Sequence, residues 1–174
     1  MSVIARTKRL IIREMTLSES DIKGIFALYE DPRMTEFMEP LFPYDEEVEY
    51  EKNYIERVYA YYGYGLWLLE EKDTKEIIGR AGVEYREGCE KNEGELGFQV
   101  NFKRQREGFA YEALKKIIEL SFDRFHFESL RARINPMNLP SIALAKKLGL
   151  SPTNTFEKDS KGNLDEIYRL RKED

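Results

Sequence analysis

The chain has 174 residues, 41% hydrophobic and 35% charged, with 33 acidic against 28 basic side chains and a net charge of −5. That length is one domain's worth, enough to bury roughly 70% of the unfolded surface, and the negative balance argues against a general nucleic-acid binder. One cysteine, Cys89, excludes an internal disulfide framework, and one cysteine with one histidine argues against a zinc centre, so no metal is expected.

The opening residues, MSVIARTKRL, lack the apolar core of a signal peptide, and no apolar run is long enough to span a bilayer. The expectation is a cytoplasmic protein with no membrane partner. Residues 9–15 (RLIIREM) read as a strand. Residues 16–30 read as a helix with Ile22, Ile25, Phe26 and Tyr29 on one face, ended by Asp31-Pro32. A short helix is expected at 35–38. Beyond Pro40 and Pro43, Asp45 is read as the cap of a helix to about Tyr62 that buries Val48, Ile55, Val58, Tyr59 and Tyr62. The aromatic run Tyr59, Tyr61, Tyr62, Tyr64, Trp67 has no basic residues among its later members, so it reads as core and cleft wall rather than a stacking platform for bases. Residues 65–70 and 77–86 form an expected hairpin across Lys72-Asp73-Thr74-Lys75, and 86–94 a polar loop carrying Cys89.

Residues 95–125 organise the rest. Leu96, Phe98 and Val100 alternate with polar neighbours as in a strand, and a basic segment follows with Lys103, Arg104 and Arg106. Ala110, Ala113, Leu114, Ile117, Ile118 and Ser121 then recur at helical spacing. A helix start offers unpaired N–H groups and a positive dipole end, Gly108 permits close backbone approach, and the arginines add charge. Physics alone therefore suggests a phosphate or pyrophosphate site, against the plainer reading of a solvated basic turn.

Residues 130–135 read as the next strand, and a helix runs from Pro140 to Leu148 with Gly149 as its stop. A last hairpin, 152–157 with 164–170, turns at Lys161-Gly162-Asn163. This order describes an α/β (α+β) protein: a mixed, mostly antiparallel sheet of about seven strands with helices on both faces. His126, just past a helix end, reads as structural. The chain has no Gly-x-Ser-x-Gly for a serine hydrolase and no Gly-x-x-x-x-Gly-Lys-Ser/Thr for a nucleotide triphosphatase.

The turn Gln105-Arg106-Glu107-Gly108-Phe109-Ala110 resembles the acyl-coenzyme A signature of the GNAT superfamily of N-acyltransferases, Gln/Arg-x-x-Gly-x-Gly/Ala. Glu-Leu-Gly-Phe at 95–98 and Gly-Phe-Ala-x-Glu-Ala-Leu at 108–114 are similar to the branch containing ribosomal-protein N-terminal acetyltransferases. The resemblance covers essentially the whole chain. It implies the GNAT fold, a single domain over 1–174, and acetyl-coenzyme A as co-substrate. It implies that residues Gln105, Arg106, Glu107, Gly108, Phe109 and Ala110 hold the pyrophosphate. Backbone groups of Phe98, Gln99 and Val100 would pair with the pantetheine arm and polarise the thioester. Glu95 would assist deprotonation of the amine, unless it is an ordinary glutamate on a strand's polar face. Asn138-Leu139-Pro140-Ser141 resembles the family's Asn-x-x-Ser helix start, where Asn138 would bond the arm and Ser141 would sit near the sulfur; as plain chemistry Asn138 is also a good N-cap.

The wider superfamily carries a tyrosine acid seven residues after that asparagine, where this chain has Ala145, an absence usual in the branch. A thiol of pKa about 8.5 leaves tolerably as thiolate without one. The expected partner is an amine acceptor, whether protein N-terminus, polyamine, amino-acid side chain or aminoglycoside, and a homodimer is left open. An α-amino group, of pKa about 8, needs less help than a lysine at about 10.4. The rival readings are a non-catalytic acyl-coenzyme A-binding module and a nucleotide-binding domain. The second is disfavoured because the turn lacks Gly-x-Gly-x-x-Gly and the order is not repeating βαβ.

Overall fold

A hairpin that the residue pattern does not announce opens the chain. In this computed structural model, which describes residues 2–172, Val3–Arg6 forms strand β1 and pairs antiparallel with β2, Leu10–Arg13. Four residues are too few to show an alternation, and the partly exposed β1 carries no buried stripe. It raises the strand count to eight. The others are β3 (Leu66–Glu71), β4 (Ile77–Glu84), β5 (Glu93–Val100), β6 (Ser129–Ile134), β7 (Ser151–Lys158) and β8 (Leu164–Arg171). They form one mixed sheet in the order β1-β2-β3-β4-β5-β6-β8-β7. Neighbours pair antiparallel at β1–β2, β2–β3, β3–β4, β6–β8 and β7–β8, whereas β5 and β6 run parallel. The β5–β6 register extends from Glu93↔Ser129 to Glu95↔Arg131.

The chain forms two compact units: residues 1–82 with 98–113, and 83–97 with 114–174. In the first, Leu10, Ile12, Ile25, Trp67 and Leu69 are fully buried. Helix α1 (Glu19–Leu28) is capped by the Ser18 side chain, which accepts from the Asp21 N–H. It buries Ile22 and Ile25 as expected, but Leu28 and Asp21 complete the face while Phe26 and Tyr29 stay half-buried. Asp21 can be buried because Arg13 donates to both its oxygens, at 2.9 and 2.7 Å. A 3-10 turn at Pro32–Thr35 stands where a short helix was expected slightly later.

Helix α2 (Tyr44–Tyr54) departs most from its sequence pattern. Asp45 is not its cap: Pro43 holds the N-cap position without a side-chain bond, and Asp45 lies in the first turn. The proline fixes the chain's approach, and the Glu47 carboxylate accepts the Phe42 N–H at 2.9 Å. The buried residues are Glu47, Glu51, Tyr54 and Tyr59; Val48, Ile55 and Val58 are half-buried and Tyr62 is exposed. Two causes explain the difference. Arg80 on β4 reaches Glu51, with Nη2 to Oε2 at 3.0 Å, so the face toward the sheet is ionic. A π turn at Ile55–Tyr59 then rotates the register before the short α3 (Ala60–Tyr62).

In the second unit, Leu130, Ile134, Ile167 and Tyr168 supply the core. Helix α5 (Leu139–Lys147) follows β6. Helix α4 (Phe109–Asp123) begins in the first unit and ends in the second, burying Ala113, Leu114, Ile117 and Ser121 from the expected stripe. No helix among the described residues is long and apolar enough to cross a membrane.

Candidate active site

The basic turn of the first unit is a built structure. After β5, Asn101 accepts the Lys103 N–H on its side chain at 3.0 Å and starts a 3-10 turn, Phe102–Arg104. Gln105 is extended, Arg106 has φ 65° and Gly108 has φ 85°, so two left-handed residues lie within three positions. A Cβ at Gly108 would meet nothing nearer than Arg9 Nη2, at 3.5 Å. Its left-handed backbone, not crowding by protein, therefore favours glycine, and the space outside it stays open. The first intrahelical bond of α4 runs from Glu112 N to Gly108 O, at 3.0 Å. The N–H groups of Phe109 and Ala110 precede it and are unspent by the helix.

Side chains that the signature does not contain brace this turn. Arg104 donates to both Glu71 oxygens, at 3.0 and 2.7 Å, and to Glu107 Oε1 at 3.1 Å. The Arg104 hydrogen bond is the main reason the Glu71 carboxyl is pulled down to about 2. Arg9 donates Nη1 to Glu107 O at 3.0 Å and lies over the Phe109 ring at 4.0 Å. Gln105 Nε2 ties back to Val100 O at 3.2 Å, so this side chain joins the turn to the end of β5. Arg106 is exposed, with no ion pair among the described residues. On β5, Tyr29 Oη donates to Gln99 Oε1 at 2.8 Å. That commits the Gln99 side chain to the protein. Phe98 is half-buried and Val100 buried. Sequence reasoning missed Arg9, Glu71 and Glu112, although Glu112 sits inside the quoted Gly-Phe-Ala-x-Glu-Ala-Leu.

The second unit carries the remaining expected residues. Glu95, half-buried on β5, has Oε2 2.7 Å from Arg131 Nη2. The oxygen makes no directed hydrogen bond, so this contact is an ion pair out of line with the N–H. Glu93, two residues earlier, is buried with Arg169 Nε at 2.5 Å and Ser129 Oγ at 3.1 Å. Burial pushes the Glu93 carboxyl up, but the Arg169 hydrogen bond and further partners leave it below its ordinary value. Asn138 caps α5, its Oδ1 accepting from Ser141 N at 3.2 Å. The Ser141 hydroxyl is half-exposed, and Ala145 is buried. Burial raises the Cys89 thiol, which stands near Arg131. Among the described residues no three His, Cys, Asp or Glu side chains group as a metal site.

Residues 9–151 match the acetyltransferase (GNAT) domain family, most of the chain and all of the braced turn. The chain belongs to the GNAT acetyltransferase family. The uncharacterized N-acetyltransferase p20 of Bacillus licheniformis is 27% identical over 168 residues, 93% of this chain and 91% of its own length. The fold is shared with solved structures at lower identity. A ribosomal-protein-S5-alanine acetyltransferase from Vibrio fischeri superposes with a TM-score of 0.80 at 14% identity, covering 99% of this chain and 98% of that one. RimL, a ribosomal L7/L12 α-N-protein acetyltransferase solved with coenzyme A, superposes with a TM-score of 0.77 at 13% identity, covering 98% of each chain. The GNAT fold binds acetyl-coenzyme A. The turn fits such a group: Gly108 leaves its outer side open, α4 leaves N–H donors, and Arg9 and Arg104 flank them.

Proposed function

We propose that this protein, acting as a single catalytic domain over 1–174, transfers the acetyl group of acetyl-coenzyme A to a primary amine by direct attack in a ternary complex. The observation that carries the reading is the left-handed Gly108, φ 85°, ahead of the unspent donors of α4. Residues 106–110 hold the pyrophosphate through backbone N–H groups, with Gln105 fixing the turn rather than touching the ligand. The β5–β6 register ends at Glu95↔Arg131, so backbone groups of Phe98, Gln99 and Val100 lie beyond that ladder and serve the pantetheine arm.

Acetyl-coenzyme A supplies a thioester whose carbonyl carbon gains the new C–N bond as its C–S bond breaks. Glu95 takes the proton that the ammonium must lose, directly or through a water. Asn138 spends Oδ1 on its cap, so its amide N–H groups are the donors left for the arm. Ser141 Oγ, without a hydrogen-bond partner among the described residues, donates to the departing thiolate. Ala145 contributes no acid. The acceptor is a protein N-terminus or a small amine.

Incubating the protein with acetyl-coenzyme A and a panel of amines, α-amino peptides and polyamines included, and reading free thiol tests this. Amine-dependent thiol release is expected. Binding of the cofactor without release would instead identify a non-catalytic acyl-coenzyme A-binding module.

A further inference from the structure

Arg131 is the largest charged side chain sealed inside the chain, its side chain 1% exposed, and nothing in the proposed chemistry uses it. A guanidinium so deeply buried spends its donors on protein where it can: both Nη groups do so, while Nε is buried without a hydrogen-bond partner. Nη1 donates to Gly88 O at 2.9 Å and to Glu157 Oε1 at 2.7 Å. Nη2 donates to Glu87 O and to Glu157 Oε2, both at 3.2 Å. Glu157 and the loop carbonyls therefore set the orientation of the fork. Glu95 is treated differently. Its Oε2 comes within 2.7 Å of Nη2 but off the N–H direction, and that oxygen is buried with no hydrogen bond. Glu95 Oε2 is thus held beside the guanidinium by charge, without a directed hydrogen bond.

We propose that Arg131 is a positioning residue for the acetyl-transfer reaction: it holds Glu95 at its place on β5 by ion pairing alone, leaving the carboxylate able to take a proton. This rests on Glu95 as the proton acceptor. The step it serves moves one proton from the ammonium to Glu95, while the nitrogen lone pair forms the C–N bond and the sulfur keeps the C–S electrons. Other charges on these strands are engaged elsewhere. Glu93 is taken by Arg169, and Asp165 has Arg133 Nε at 3.7 Å. Glu157 is the remaining competitor for the Arg131 charge, and it takes directed bonds from both Nη groups. Gly88, at φ 89°, lies over the pair, and a Cβ there would come within 2.8 Å of Glu157 Oε1.

The test is steady-state kinetics with the fastest amine of the panel, together with calorimetric binding of acetyl-coenzyme A, on Arg131→Met, Arg131→Lys, Glu95→Gln and the double variant Arg131→Met/Glu95→Gln. Arg131→Met should lower kcat about 10-fold, within the range for directly coupled neighbours, with cofactor affinity unchanged. Arg131→Lys, which keeps the charge without the fork, should recover much of that loss. The double variant should be no slower than Glu95→Gln, because a residue acting through Glu95 has nothing left to act on. A folded Arg131→Met with wild-type kcat, or losses that multiply in the double variant, would overturn the proposal and leave Glu95 as base intact. An unchanged kcat in Glu95→Gln, or no amine-dependent thiol release at all, would instead remove the reading beneath it. If Arg131→Met fails to fold because two half-buried carboxylates lose their partner, Arg131→Met/Glu157→Gln removes the second charge and gives the same comparison.

Discussion

Glu112 grips Arg9 twice: Oε1 accepts the Arg9 backbone N–H and Oε2 accepts its Nε, each at 2.7 Å. Thr7 Oγ1 adds a third bond to Oε1, at 2.6 Å. One carboxylate in the first turn of α4 therefore fastens the β1–β2 hairpin to the start of that helix. Through Arg9 it also reaches the Glu107 carbonyl inside the proposed phosphate turn. Burial pushes the Glu112 carboxyl up, but the bonds from Thr7 and Arg9 outweigh it and leave it below the ordinary range.

Glu112→Ala should therefore destabilise the protein by about 1–3 kcal/mol at neutral pH, since three donors lose a part-buried acceptor. That corresponds to a drop in Tm of roughly 2–4 °C per kcal/mol for a chain of this size. The sign with pH follows from the lowered carboxyl. Its stabilisation is present above the unfolded value and lost as pH falls through the folded one. In thermal melts, the gap between wild type and Glu112→Gln should shrink below about pH 4. A gap that stays constant across pH would mean that the charge contributes nothing.

How much of this was legible in the sequence differs by residue type. The strand–turn–helix at 93–123 was readable because Leu96, Phe98 and Val100 alternate and Ala113, Leu114 and Ile117 follow helical spacing. What failed was the rule that charge means surface. Glu93 lengthens β5 by two residues beyond the expected start, and Glu51 turns α2 onto an unexpected face. Each is buried against an arginine distant in sequence, Arg169 and Arg80, and no local pattern reveals such a partner. The same blindness hid Arg131, which reads as a polar residue of the Leu-Arg-Ala-Arg-Ile-Asn strand and lies sealed between Glu95 and Glu157.

Glu95→Gln keeps the shape of the side chain and removes its capacity to take a proton. We expect kcat to fall roughly 10- to 10⁴-fold, the span for a lost general base, with the Kd for acetyl-coenzyme A nearly unchanged. Rates with the best amine of the panel, measured across pH, check it. A kcat equal to wild type at every pH would reduce Glu95 to a partner of Arg131.

Ser141 sits at the start of α5 with its N–H already satisfied by Asn138. Ser141→Ala keeps that bond, so any kinetic change reports the hydroxyl. Turnover should slow modestly, about 2- to 10-fold, as one hydrogen bond of about 0.5–1.5 kcal/mol to the leaving sulfur is lost. Activity should not need a tyrosine at position 145, where Ala145 is buried. Equal turnover in Ser141→Ala would leave the serine as a helix-start residue only.

Gly108 gives the sharpest prediction, because its requirement is conformational. With φ at 85° and the nearest protein atom 3.5 Å from where a Cβ would stand, Gly108→Ala should fold. The left-handed backbone should cost it about 1–2 kcal/mol. Gly108→Val adds a branched side chain that is stiff at χ1 and poorly suited to that region. It also fills the open side of the turn, where a pyrophosphate must come within about 2.9 Å of the N–H groups. Gly108→Val should therefore abolish binding of acetyl-coenzyme A, with circular dichroism close to wild type. Arg106→Ala should weaken binding only mildly, since it removes an exposed charge and leaves the backbone donors in place. Isothermal calorimetry on both variants separates the cases. If folded Gly108→Val binds as tightly as wild type, the phosphate lies elsewhere and the turn's two left-handed residues serve only the connection from β5 to α4.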